Sequence, residues 1–391
     1  MKQGWEIKKL GEICKVIAGQ SPEGKYYNSE GNGLPFYQGK KEFCEKYLGV
    51  PSTWTTYITK EAEAGDILMS VRAPVGPVNF STQKICIGRG LAAIRVGKVI
   101  DNEFLFNYLL KHENEIEGNA GAVFNSISKK QIELIEIPLP PLPEQQRIVS
   151  ILDKVFATID KAKVNAELNL KNARDVFNSY LQGVFEKKGD GWEHIRMGDI
   201  CQIYDGTHFS PKNGRDGDYM YITAKNIKPY YIDVSNISYV TEDDHNDIYS
   251  RCSPKKGDVL YIKDGATAGI ATVNTIEEEF SMLSSVALIK CSNIILNTFL
   301  VHYMNSSVGK KNFLGYLDGA AITRLTLIKI KNVCFSIPTL EEQQSIVNKL
   351  DALRAETQKL EAIYKKKLDC LEELKKSVLQ KAFAGELIED V

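Results

Sequence analysis

Polar side chains that could do chemistry gather in turn-rich stretches of the chain. The first half carries GLPFYQGKKEF, with Gln38, Lys40 and Lys41 beside Phe36 and Tyr37. It then carries SVRAPVG, with Ser70 and Arg72, and IGRG, with Arg89. The second half carries DGTHFSPKNGR, with Thr207, His208 and Lys212. ITAKNIK follows with Lys225 and Asn226, and IKDGATAG with Lys263 and Asp264. Arginine, lysine, glutamine and asparagine hydrogen-bond to base edges in the major groove, and lysine and serine also hold phosphates. Any one of these residues is more readily explained as solvated surface. As a set of donors on β-rich loops they suit sequence reading.

Patterns for catalysis are missing where they would be expected. An amino-methyltransferase needs an [ND]PP[YF] loop for the flipped base and a Gly-rich cofactor loop. PLPPLPEQQ has the paired prolines without the flanking acid or amide and without the aromatic. VGKKN near Gly309 is not a P-loop. The five histidines (His112, His194, His208, His245, His302) lack ligand spacing, and HEN at His112 is not HExxH. A nuclease site built from scattered Asp, Glu and Lys is the catalytic alternative that sequence leaves open. None of the eight cysteines pairs as CxxC, and most sit among apolar neighbours. They read as reduced core residues of a cytoplasmic protein. No apolar run approaches the roughly 20 residues of a membrane span, and MKQGWEIKKLGEI has no signal-peptide core.

The elements that must position the loops come in duplicate. GWEIKKLGEICKVIAG aligns without gaps to GWEHIRMGDICQIYDG, pairing Trp5 with Trp192, Cys14 with Cys201 and Gly19 with Gly206. AGDILMSVRAPVG matches KGDVLYIKDGATAG, with Gly65 against Gly257. LPEQQRIVSILD, from Leu142, matches LEEQQSIVNKLD, from Leu340. Three matches in one order imply an internal duplication. Short β-like runs (DILMSV, KICIGRGLAAIRV, YMYIT, GDVLYIK, SSVALIKC) are separated by Gly, Pro, Asn and Asp clusters. One short helix is predicted in each half, around NEFLFNYLLKH and NTFLVHYMNSS. Gly65-Asp66 and Gly257-Asp258 read as turns.

Each repeat ends in a helical stretch of roughly 40 residues, about 60 Å at 1.5 Å per residue. In the first, Pro143 and Glu144 suit a helix start. An apolar seam then runs Ile148, Leu152, Val155, Ile159, Ala162, Ala166, Ala173, Phe177, Tyr180 and Val184. The second seam is Ile346, Leu350, Leu353, Leu360, Ile363, Leu368, Leu371, Leu374, Val378 and Ala382. Packing the two helices on each other covers both seams, and the short linker FEKKGDG favours an antiparallel pair. The expectation is an α+β chain. Two β-rich target-recognition domains, 1–141 and 189–338, are related by a pseudo-twofold axis. Two long antiparallel coiled-coil helices, 142–188 and 339–391, join them. Two readers on such a ruler would address half-sites one DNA turn, about 34 Å, apart. The net charge of −1 argues against a free-standing DNA binder and for a reader that borrows affinity from partners.

With its two W-x₅-G-[ED]-I-C starts, GDILMSVRAPVG with IGRGLAAIR, IPLPPLPEQQRIV, IPTLEEQQSIV and the terminal KKSVLQKAFAGEL, the chain resembles the specificity subunits of type I restriction–modification enzymes. The resemblance covers essentially its whole length. It implies a non-catalytic subunit in which each domain reads one half of a bipartite double-stranded DNA target. The helices would set the spacer and dock two modification (methyltransferase) subunits, with restriction subunits joining them. S-adenosylmethionine, ATP and Mg would belong to those partners, leaving this chain without a cofactor or metal of its own. Glu144, Gln145, Gln146, Glu342, Gln343 and Gln344 match the family's EQQ pattern and are expected at partner contacts, with a plain helix-start role competing. A specificity subunit of a related type II-like complex is the alternative of the same class.

Overall fold

The computed structural model describes residues 4–116, 126–315 and 325–387. The chain divides into two compact units. One comprises Met1–Glu167 with Lys366–Val391, the other Leu168–Lys365. Each long helix therefore contributes to both units.

Unit 1 is built on a four-stranded antiparallel sheet in the order Cys14–Ala18, Leu91–Val96, Ile67–Ser70, Val78–Phe80. Ile94 of the central strand lies opposite both Val16 and Ile67. β-Branched and aliphatic side chains cover both faces. One face carries Val16, Ile67, Met69 and Ile94 onto the helix Asn102–Ile116. The other carries Leu68, Leu91 and Ala93 onto a second, five-stranded and partly parallel sheet in which Leu34–Tyr37 runs beside Ile85–Ile87. Burial on both faces is why these strands read as apolar runs instead of alternating.

Unit 2 repeats the plan. Its four-stranded sheet runs Cys201–Asp205, Val286–Cys291, Val259–Ile262, Ala271–Val273, with Ile289 opposite Ile203 and Val259. Tyr219–Ile222 runs parallel to Phe280–Met282, as Leu34–Tyr37 does to Ile85–Ile87. Helix Asn297–Asn305 is the counterpart of Asn102–Ile116. Helix Glu242–Arg251, capped by Thr241, has no counterpart among the described residues of unit 1. The Gly-Asp turns are also the same in both. Gly65 and Gly257 take φ of +88° and +95°, which favours glycine. Asn102 and Asn297 each donate to the glycine carbonyl, and Asp66 and Asp258 each accept an N–H three residues back at 2.8 Å.

The long helices are Leu142–Lys187 and Leu340–Ala384. Within unit 1 they pack antiparallel: Ile148 and Leu152 share a core with Leu379, Ala382 and Phe383, while Lys163 further on pairs with Glu372 at 2.7 Å. Within unit 2, Phe177, Leu181 and Phe185 share a core with Val347 and Leu350, and Arg174 pairs with Glu361 at 3.0 Å.

The seams differ from the expected ones where they leave the coiled-coil period. From Ala173 the first helix buries Phe177, Leu181 and Phe185, in steps of four; Tyr180 is exposed and Val184 half-buried. In the second helix Leu360, Ile363 and Leu374 are exposed, and Val347, Thr357 and Leu379 are buried instead. Each step of four turns the buried stripe by about 40°, which carries it off a two-helix seam, whereas alternating fours and threes hold it toward a second helix. Phe177 and Phe185 pack edge-on to Tyr230 and Phe299 of the globular part.

Candidate nucleic-acid interface

In unit 1 the strands Cys14–Ala18 and Ile67–Ser70 both pair antiparallel with Leu91–Val96, so they run the same way. Their C-terminal ends and the start of the central strand therefore meet at one end of the sheet. The approach is close: a Cβ at Gly19 would run into the carbonyl oxygen of Gly88. Gly90 donates to Gln38 O at 3.1 Å, which brings in the loop after Leu34–Tyr37. The result is a cavity of about 210 Å³ lined by Gln38, Lys40, Ser70, Arg72 and Arg89 among others. Five of the six residues singled out in this half are thus brought together from three separate stretches. Lys41 is exposed beside them without lining the cavity.

Their roles differ. Gln38, Lys40, Arg72 and Arg89 are exposed. Ser70 is 2% exposed, and its hydroxyl donates to Pro74 O at 2.9 Å. It shapes the loop and cannot also reach a base, which corrects its expected role. Burial and the nearby Glu42 push the Tyr37 hydroxyl up to about 12, so it stays a donor, bound to Gly49 O.

Unit 2 assembles the same end from the same strands, with other chemistry. The Asp205 carboxylate, 5% exposed as a residue, is the centre. Arg251 NH2 lies 3.3 Å from it, His208 Nε2 3.3 Å and Lys263 Nζ 3.7 Å. Lys263 also donates to Asp264 Oδ2 at 2.7 Å. Thr207 is buried and accepts from Phe209 N at 3.2 Å, which makes it a turn builder. Lys212 is exposed in the loop beyond it, and Lys225 is exposed on a separate turn. Asn226 closes that turn, accepting from Thr223 N and donating to Asp233 O, and is buried. Asn226 and Lys263 are therefore corrected from base contacts to supporting residues, because a buried, fully engaged donor cannot meet a base.

Sequence reading missed Asp205 and Arg251. Asp205 carried a signal: it stands where the first repeat has Ala18, a charge at a strand end that is otherwise apolar. Arg251 had none, since helix Glu242–Arg251 is without counterpart among the described residues of the first half. Among the described residues, no three His, Cys, Asp or Glu side chains come together as a metal site needs. No helix there is long and apolar enough to cross a membrane.

The EQQ helix starts are also resolved. Gln145 accepts from Asp101 N at 2.7 Å and donates to Val99 O and Pro140 O. Gln343 accepts from Leu296 N at 2.9 Å and donates to Ile294 O and Pro338 O. Both are fully buried. Each side chain clips the loop before the short helix to the first turn of the long one, which corrects their expected role at partner contacts. Glu342 accepts from Trp192 Nε1 at 3.0 Å. Gln146 and Gln344 remain exposed, and Glu144 is half-buried.

A duplicated α+β frame with a polar loop cluster at the same sheet end of each unit defines a recognition protein. Residues 2–170 and 189–368 both match the family described as the type I restriction modification DNA specificity domain. The chain therefore belongs to that family, the DNA-recognition component of type I restriction–modification systems and not itself the catalyst. It is 43% identical over 190 residues to a protein of Methanocaldococcus jannaschii assigned as the MjaX specificity subunit, a match spanning 48% of this chain and 44% of that one. The type I restriction enzyme MjaVIII specificity subunit of the same organism is 23% identical over 98% of this chain and 93% of its own. A solved chain from a study of complex assembly and conformational transition in a type I R-M system shares the fold, with a TM-score of 0.80 over 99% of each chain at 19% identity.

Proposed function

We propose that each unit reads one half of a bipartite double-stranded DNA target through the loops at its sheet end. The observation that carries this is the gathering of Gln38, Lys40, Arg72 and Arg89 around one cavity from three separate loops. Exposed long donors on a rigid sheet suit base edges and phosphates. The long helices set the spacer and dock two modification (methyltransferase) subunits, and restriction subunits join the assembly. Docking falls to exposed helix positions, since Gln145 and Gln343 face inward. Val176 and Tyr180 are such positions, exposed along an open groove that Val184 and Leu353 also line. Catalysis belongs to the partners, with S-adenosylmethionine, ATP and Mg, and the assembly works in the cytoplasm.

The test exchanges Gly19–Ile94 for the matching segment of a relative within the methyltransferase complex, with methylated sites mapped by sequencing. One half-site should change and the other stay. A change in both halves, or in neither, rejects the two-reader function.

A further inference from the structure

The carboxylates at the sheet end of unit 2 are spent inside the protein. Asp205, its side chain 6% exposed, accepts from Arg251 through Oδ1 and faces His208 and Lys263 through Oδ2. Asp264 holds the Lys263 ammonium through Oδ2, and its Oδ1 is buried. The groups that remain open are donors. The Arg251 side chain is 55% exposed and that of His208 43%. Arg251 engages one guanidinium nitrogen, Nη2, at 3.3 Å from Asp205, its one hydrogen-bond partner among the described residues. A guanidinium carries five N–H donors in a rigid fork, so most of them stay available.

Both units bring a side chain to this spot, and unit 2 brings a cation. Arg251 stands as far ahead of Gly257 as Thr59 does of Gly65. In unit 1 the Thr59 hydroxyl donates to Gln20 O, just past the end of the first strand. In unit 2 Arg251 meets Asp205, the last residue of the matching strand. The frame beneath is shared: Val71 and Lys263 each donate to the residue before the central strand, Gly90 O and Ser285 O, both at 2.9 Å. Helix Glu242–Arg251 sets the guanidinium in place. Ile248 before Arg251 and Cys252 after it are each 1% exposed, which anchors its backbone. Asp205, standing where unit 1 has Ala18, then holds the side chain.

Such a pair suits a base better than a phosphate. A phosphate contact gains from net charge, and here Arg251 and Lys263 are balanced by Asp205 and Asp264. A guanine edge is neutral and rewards aimed donors, its O6 and N7 taking two N–H groups of one guanidinium. Holding the fork in advance removes rotamer entropy that binding would otherwise cost. We propose, on the basis of the two-reader function above, that Arg251 reads a guanine in the half-site of unit 2 through O6 and N7, and that Asp205 is its positioning residue.

The experiment measures binding by the full chain in its methyltransferase complex at fixed salt, on duplexes carrying 7-deazaguanine at each guanine in turn. One guanine of the unit 2 half-site should lose about tenfold in affinity on deaza substitution with the wild-type chain and nothing further with Arg251→Ala. Asp205→Asn should reduce that loss to about threefold or less at the same guanine and leave the unit 1 half-site as it was. Should Asp205→Asn not fold, Asp205→Ala serves instead, since the matching position of unit 1 is Ala18. A deaza loss that persists in Arg251→Ala at every guanine, or coupling of Arg251 to a guanine of the other half-site, overturns the proposal. So does a unit 2 half-site whose guanines all tolerate deaza substitution. A full loss retained by the Asp205 variant overturns the positioning. An exchange of Gly19–Ile94 that moves neither half-site rejects the two-reader function itself. An exchange that moves one half-site, with the Arg251 coupling missing, rejects only this assignment.

Discussion

The sheet end of unit 1 is an open set of donors, whereas that of unit 2 is an ion-pair cluster in which one cation, Lys263, is buried. Arg72 and Arg89 stand exposed around the first. Lys263, 2% exposed, sits between Asp205 and Asp264 in the second. The frame beneath is the same in both, down to matched hydrogen bonds at Val71 and Lys263. The loop side chains thus vary on a shared frame whose apolar cores lie beneath them. The residues that vary couple to stability in unit 2 and hardly at all in unit 1.

The sharpest way to break this contrast is Lys263→Met. It leaves Asp205 and Asp264 without their shared ammonium, and removing one partner of a buried pair costs about 3–5 kcal/mol. Denaturant unfolding should show a loss of at least about 3 kcal/mol; a loss below 1 would mean that the cluster is not a buried ion-pair site. Gln145→Leu and Gln343→Leu come next. Each orphans one buried carbonyl together with a part-buried N–H and a part-buried carbonyl, at about 2–3 kcal/mol, and the two losses should agree within about 1 kcal/mol if the clips are equivalent. A loss at one site only would end that equivalence.

Acid should separate the units more mildly. Burial pushes the His302 imidazole below its usual range, against the pull of Asp351 at 3.0 Å. Its folded pKa is depressed, so its neutral form contributes stability above the unfolded value of about 6.5. That contribution is lost as pH falls below it, at up to about 1.4 kcal/mol per pH unit. The counterpart in unit 1 is Asn107. Hydrogen exchange between pH 7.5 and 5.5 should show unit 2 amides near His302 weakening first, and His302→Asn should abolish that slope. An unchanged slope in the variant would assign it to other groups, such as His245, whose burial also lowers it. The smallest effect on stability is expected for Arg72→Ala, within about 0.5 kcal/mol. The same variant should weaken DNA binding by the complex, and a stability loss above 1 kcal/mol would show Arg72 to be structural.

Much of the frame was legible in the chain itself. The repeats at Trp5 and Trp192 and at the two EQQ starts located both units and both long helices, because duplication preserves spacing. Long donors recurring between apolar strands marked out the loops of the first half, and the fold gathers five of those residues around one cavity. Ser70, Thr207 and Asn226 were misread because a hydroxyl or amide looks the same in sequence whether it closes a turn or faces a base. Tyr180, Leu360 and Ile363 were misread because a heptad rule assumes a helical partner, while part of each helix packs on globular surface.

Sequence alone determined the duplication, the strand and helix types and the class of side chain at each loop, because periodicity and composition are local. Only the tertiary structure decided which of those side chains are free to act. That depends on partners far along the chain: Asp205 for Lys263, Asp101 for Gln145, Leu296 for Gln343. A polar group spent on such a buried partner is held by the fold, and desolvation keeps it there.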